Sequence, residues 1–207
     1  FLLMFTNMGR VYRLKGYNIP NASRTAKGLP VVNLLKLEKN ELVSELVPIK
    51  KDSEAEYLCF VTKKGLIKRV KIQDFDYIPR KGKIAITLKD DDELCSVKAT
   101  SGEDEIIIAG SNGKAVRFDE NEVRVMGRTA SGVHGFNTDG STVVGVATST
   151  EGKYLLAVSE NGYGKRTEID EYRKTSRGTK GVKTMNITSK TGSLINVRAV
   201  NGDEDVM

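Results

Sequence analysis

The sequence predicts an all-β fold of radial four-stranded blades, a propeller-like disc. Three observations predict it: an internal repeat of about 50 residues, a glycine-marked hairpin at one phase of every repeat, and no convincing helical periodicity. The segments NMGRVYRLK, KKGLIKRVK, SNGKAVRFD and ENGYGKRTE align without gaps. Their shared glycines are Gly9, Gly65, Gly113 and Gly162, spaced 56, 48 and 49 residues apart. Four positions after each stands an arginine: Arg13, Arg69, Arg117 and Arg166. A second element follows in every unit (RTAKG, PRKG, RTASG, RGTKG). Its glycines, Gly28, Gly82, Gly132 and Gly181, lie 19, 17, 19 and 19 residues after the first set.

The third unit shows how each is built. EIIIAG (105–110) is an apolar run, and Ser111-Asn112-Gly113 supplies a hairpin turn, because Asn-Gly accepts the positive φ that such turns need. KAVRF (114–118) alternates polar and apolar residues. A glycine-containing loop leads to GVHGFN (132–137), and TVVGVA (142–147) closes the unit. The stretch LEKNELVSELV (37–47) has irregular apolar spacing and runs into Pro48, so it reads as non-helical. Four such units divide the chain at about 1–50, 51–100, 101–150 and 151–207 as one domain. A single blade cannot bury its sheet faces, whereas neighbours packed radially can. The chain reads as beginning inside a second strand and breaking off at Val206-Met207 as another begins. With four blades' worth of strands, it reads as part of a longer polypeptide.

Composition narrows the functional classes. No run of about 18 apolar residues occurs, so no spanning helix is predicted. Phe1 opens a short apolar stretch without the basic segment of a signal peptide. Cys59 and Cys95 sit far apart in apolar runs, with neither disulfide nor metal spacing, and read as core thiols of a reducing cytoplasm. His134 is the single histidine, too few for a zinc site. The acids sit in turns beside strand entries instead of converging on a funnel, which argues against a propeller glycosidase. WD40 repeats need Trp-Asp signatures, and the chain has no tryptophan; kelch repeats need Gly-Gly pairs, and none occurs. Few interleaved aromatics argue against stacking on single strands.

Charge points to a polyanion. Lys and Arg number 33 against 27 Asp and Glu, a net charge of +6. The basic residues concentrate in the strand bearing the Gly-x-x-x-Arg arginine, including Lys68, and in the loop after it. Equivalent loops of a radial repeat share one rim, so cations at one phase form a belt suited to the phosphates of a curved duplex. The candidate phosphate contacts are Arg24, Lys27, Arg80, Lys81, Arg128, Arg173, Lys174, Arg177 and Lys180 in the loops. Arg13, Arg69 and Arg166 in the strands are candidates too, and the strand arginines can equally pair with neighbouring acids. Arg-x-x-x-Gly would let guanidinium and main-chain N–H groups approach phosphates together.

The stretches 5–35, 100–127 and 161–182 resemble the family of DNA gyrase A C-terminal domains, and the likeness runs essentially end to end. The resemblance implies a β-pinwheel whose blades exchange a strand with their neighbours. It implies a non-catalytic, cytoplasmic, nucleoid-associated domain that wraps double-stranded DNA without sequence preference and sets the handedness for negative supercoiling. Its implied partners are the gyrase A N-terminal region and gyrase B in an A2B2 holoenzyme, with ATP and Mg acting elsewhere and no cofactor here. The paralogous domain of topoisomerase IV and a protein-interaction propeller are the alternatives. The family's signature box, Gln-Arg-Arg-Gly-Gly-Lys-Gly, is absent as written. TSRGTKG (175–181) resembles a degenerate copy that keeps Arg177, Gly178, Lys180 and Gly181, and ASRTAKG (22–28) keeps Arg24, Lys27 and Gly28.

Overall fold

The computed structural model describes residues 1–50 and 52–205. Lys51, which opens the second unit, and Val206-Met207, where a further strand is expected, lie outside the described residues. The first unit forms β1 (Leu2–Thr6), β2 (Arg10–Leu14) and β3 (Val43–Pro48). The second forms β4 (Tyr57–Thr62), β5 (Leu66–Lys71), β6 (Lys83–Ile84) and β7 (Leu94–Thr100). The third forms β8 (Glu105–Gly110), β9 (Lys114–Asp119), β10 (Val133–His134) and β11 (Val143–Thr148). The fourth forms β12 (Tyr154–Ser159), β13 (Gly164–Glu168), β14 (Val182–Lys183) and β15 (Leu194–Val200). Short 3-10 turns are the only helical elements described, and the 37–47 stretch ends in strand β3. This is an all-β propeller of antiparallel sheets.

The sheets do not coincide with the units. Their orders are β3-β1-β2-β6, β7-β4-β5-β10, β11-β8-β9-β14 and β15-β12-β13. Each two-residue strand therefore completes the outer edge of the preceding blade, the exchange that defines a β-pinwheel. β1 is the counterpart of β4, β8 and β12, so the chain opens on a first strand of a unit and not on a second. The last strands of successive units, β3, β7, β11 and β15, pack side by side at the inner edges of the blades.

The exchange explains both glycine sets. Gly65 closes the β4–β5 hairpin at φ +84°, and its carbonyl accepts from the N–H groups of Gly135 and Phe136 in the donated segment at 2.9 and 3.1 Å. A Cβ there would run into the Phe136 carbonyl oxygen. At the other side of a joint, a Cβ on Gly132 would sit 2.6 Å from the carbonyl oxygen of Ile67 in the preceding blade. At Gly132, and at Gly181 against the Ala115 carbonyl, the loop glycine answers to close backbone approach between blades. No heavy atom lies within 4 Å of a Cβ position at Gly28 or Gly162, where no neighbouring blade stands among the described residues.

Between blades the core is apolar. Leu3, Phe5 and Val11 of the first sheet bury against Leu58, Phe60 and Val70 of the second, with Ala85 and Ile86 from the exchanged segment. Phe5 and Phe60 meet edge to face, centroids 5.3 Å apart. The opposite face of the second sheet, Cys59, Val61 and Ile67, packs on Ile106, Ile108 and Phe118 of the third. Ile107, Ala109 and Ala115 pack on Leu155, Ala157 and Tyr172 of the fourth. Cys59 lies in this core and Cys95 is partly buried, both unbridged.

One lysine expected in the basic belt is in the core instead. Lys68 is fully buried, and its ammonium donates to the carbonyls of Ala85, at 2.6 Å, and Arg128, and lies 5.0 Å from the Phe60 ring centroid. It joins its own strand to the donated segments of two units. Burial pushes it down to about 7, with Arg128 adding repulsion and Asp74 opposing. Below its folded value both folded and unfolded chains hold the proton; above it, and up to the ordinary lysine range, only the unfolded chain does. Stability therefore rises with pH across that window, by up to about 1.4 kcal/mol per unit. Lys68→Met should remove this rise in urea unfolding compared at pH of about 6, 8 and 9.5; parallel pH profiles for the two chains would show that Lys68 does not titrate there.

Candidate nucleic-acid interface

The basic loops of the second, third and fourth units each leave their own hairpin, cross outside the preceding blade, and end in the strand that forms that blade's outer edge, so they lie at the perimeter, opposite the inner strands. The loop bearing Arg24 and Lys27 has no preceding blade among the described residues. The crossing is fixed by backbone bonds: Met126 N–H donates to Arg69 O at 2.8 Å and Thr175 N–H to Arg117 O at 2.8 Å. Val125 and Lys174 form parallel bridges with the same two arginines.

The candidate residues fall into three groups. Arg24, Lys27, Arg80, Lys81 and Arg173 are exposed, and among the described residues their side chains make no ion pair. Their charge is open to solvent on the first, second and fourth loops.

A second group is exposed in part and already paired. Lys174 bridges Glu105 at 3.0 Å and Asp119 at 3.4 Å. The Glu105 hydrogen bond leads in raising the lysine above its ordinary value. Burial alone would raise Glu105, but hydrogen bonds from Lys174 and Arg117 outweigh it and hold the carboxyl low. Lys180 pairs with Asp139 at 2.8 Å, and its hydrogen bond lowers that carboxyl. Arg177 donates from Nε to Glu122 O at 3.0 Å and from Nη1 to His134 O at 2.9 Å. Arg128 donates to the Ile84 carbonyl. In the degenerate signature box, Gly178 and Gly181 both adopt positive φ, +77° and +68°, and a Cβ on Gly181 would strike the Ala115 carbonyl.

The strand arginines form the third group; Arg13 and Arg69 reach the following unit, and Arg166 reaches the segment after β15. Arg13 donates to the Asp76 carbonyl and stacks 3.7 Å from the Phe1 ring centroid. Arg166 stacks over Tyr154 at 4.8 Å and reaches Gly202 O at 3.4 Å. Both are exposed. Arg69 is not: it is buried, pairs with fully buried Glu120 at 3.2 Å and donates to Asn121 at 2.9 Å. The expectation of a phosphate contact at Arg69 is therefore corrected, because its guanidinium is enclosed in the joint. Arg117 likewise serves a joint, binding Glu105, Asp170 at 3.0 Å and the Ile169 carbonyl at 2.8 Å.

Glu120 is a buried carboxylate of the joint that no motif singles out. Its carboxylate accepts from Gly102 N–H at 2.7 Å, Asp104 N–H at 2.9 Å and Thr100 Oγ1 at 2.6 Å besides Arg69. A signal for it exists: Arg69 to Glu120 and Arg117 to Asp170 are 51 and 53 residues apart, one repeat plus three or four residues. An acid standing just over one period after the repeated arginine marks contact between units.

Comparison with known proteins places this geometry. The family model described as DNA gyrase C-terminal domain, beta-propeller, matches residues 1–50, 56–101, 104–150 and 153–201. The DNA gyrase A protein of Staphylococcus epidermidis is 46% identical over 210 residues, and that of Ureaplasma parvum is 47% identical over 207. Each alignment covers 100% of this chain and 24% of the relative, so the chain spans about a quarter of their length. A solved DNA gyrase A C-terminal domain superposes with a TM-score of 0.82 at 30% identity, covering 98% of this chain and 66% of that one. The C-terminal domain of DNA topoisomerase IV superposes at 0.81 with 26% identity, covering 94% and 61%.

Proposed function

The chain belongs to the family of DNA gyrase C-terminal domains, and we propose on that footing that it binds duplex DNA along its outer rim and bends the duplex around the disc. The observation that carries this reading is the recurrence of a cationic loop at one phase of every unit, set on the perimeter in the second, third and fourth, with Arg24, Lys27, Arg80, Lys81 and Arg173 exposed and free of carboxylate partners among the described residues. Lys174, Arg177, Lys180 and Arg128 flank these positions and add contacts if phosphates displace their present partners. Among the described residues the rim carries strands and short turns with no α-helix to enter a groove, so binding is to phosphates and independent of sequence. Within the longer protein, the domain would serve a type II topoisomerase built with the gyrase A N-terminal region and gyrase B as A2B2. The wrap would set the strand-crossing handedness for negative supercoiling, and the chemistry and any ATP or Mg would lie outside this chain. The topoisomerase IV reading is second, since the curated relatives at 46% and 47% identity are gyrase A proteins.

A salt titration tests the binding mode. Contact with about six to ten phosphates gives a log–log slope of roughly −5 to −9. A flat salt response, or strong preference for one short duplex sequence, would contradict the proposal.

A further inference from the structure

The rim loops of the third and fourth units are tied at both ends to one strand of the blade before them, and the tie is an arginine. On β5, Val133 pairs with Ile67 at the loop's far end, while Met126 N–H donates to the carbonyl of Arg69, two residues along, at its near end. The Arg69 guanidinium then reaches ahead to Glu120 and Asn121 in the turn that launches the loop. β9 repeats the plan: Val182 pairs with Ala115, Thr175 N–H donates to Arg117 O, and the Arg117 side chain holds Asp170 and the Ile169 carbonyl. Arg128 rides on the first loop; Arg177 and Lys180 ride on the second.

We propose that Arg69 and Arg117 are positioning residues that fix the rim loop of the following blade in its place on the perimeter, while touching no phosphate themselves. This deepens the DNA-bending reading and rests on it for its consequence. A belt can impose curvature only if its cations sit at fixed distances from one another, since flexible loops follow a straight duplex as readily as a bent one. The enclosed Arg69–Glu120 pair makes the joint between the second and third blades rigid. Arg13, exposed and bonded to a single carbonyl of the second unit, makes the joint before it looser.

The test is the paired variant Arg69→Met with Glu120→Gln, which removes the tie without stranding a buried charge. Amide hydrogen exchange in the free protein should accelerate roughly tenfold or more over 126–132, with 175–181 as the unchanged control. Arg69→Lys, which keeps the charge beside Glu120, should retain most of the protection. The salt slope of duplex binding should stay at the parent value while bending, read by end-to-end fluorescence transfer, falls. Unchanged exchange over 126–132 would overturn the proposal. So would a slope reduced by about one, the signature of a lost phosphate contact. If the paired variant does not fold, Arg117→Gln is read the same way, with 175–181 as the responding loop and 126–132 as the control. A parent protein that neither binds nor bends DNA would sink the functional reading, whereas the exchange measurement would still decide the positioning role.

Discussion

Gly65→Ala is expected to destabilise the fold by about 3–5 kcal/mol, while Gly162→Ala, at the same phase of the repeat, costs about 1 kcal/mol. Both glycines close a hairpin with the backbone in the left-handed region, at φ +84° and +80°. That strain is common to both and accounts for about 1 kcal/mol. At Gly65 alone the new methyl meets the Phe136 carbonyl and the side chain of Thr138, both from the donated segment of the third unit. Relieving that overlap costs about 1–3 kcal/mol of overpacking, and moving the donated segment weakens two hydrogen bonds to the Gly65 carbonyl worth about 1 kcal/mol each. Among the described residues nothing stands within 4 Å of a Cβ at Gly162. Urea unfolding of the two variants decides the matter. Equal losses would mean that the repeat glycines serve only their own turns and that the exchanged strands bind loosely.

This contrast marks the limit of what the sequence discloses. The strands themselves are legible, because alternation and hairpin turns are local: residues 105–110 are β8 in full, and the expected 114–118 and 142–147 strands match β9 and β11 to within a residue. GVHGFN shrinks to the two residues of β10, since only Val133 and His134 lie along β5 before Gly135 and Phe136 turn onto the Gly65 hairpin. Which sheet a strand joins is a different matter. Val133 has the same local pattern whether it pairs with its own unit or with the preceding one, so the exchange came from family resemblance and not from periodicity. Burial of Lys68 and Arg69 is hidden for a related reason. In LIKRVK they look like solvated strand cations, and their partners, Arg128 and Glu120, are 60 and 51 residues away. At Arg24, Lys27, Arg80 and Lys81 the exposure expected of a candidate contact was legible, because those side chains have no hydrogen-bond or ion-pair partner among the described residues.

Replacing those four cations by Ala is expected to remove most DNA bending while lowering affinity far less. An exposed ion pair contributes on the order of 0.2–1 kcal/mol, so four contribute about 1–4 kcal/mol together. Bending a duplex of 20–30 bp through the arc of the rim costs about 1–6 kcal/mol. The two ranges overlap, so the loss of two adjacent loops is enough to let the duplex relax while the remaining cations still hold it. Each lost contact should also reduce the salt slope by about 0.9. The fold should be untouched, because all four side chains are exposed and bonded to nothing else among the described residues. The direct measurement is fluorescence transfer between dyes at the two ends of a short duplex, made with the parent chain and with the four-cation variant under matched saturation, circular dichroism confirming that both are folded. The account predicts raised transfer with the parent and transfer near that of free duplex with the variant. A folded variant that bends the duplex as the parent does, or a parent that leaves it straight, would contradict a DNA-bending belt on this rim.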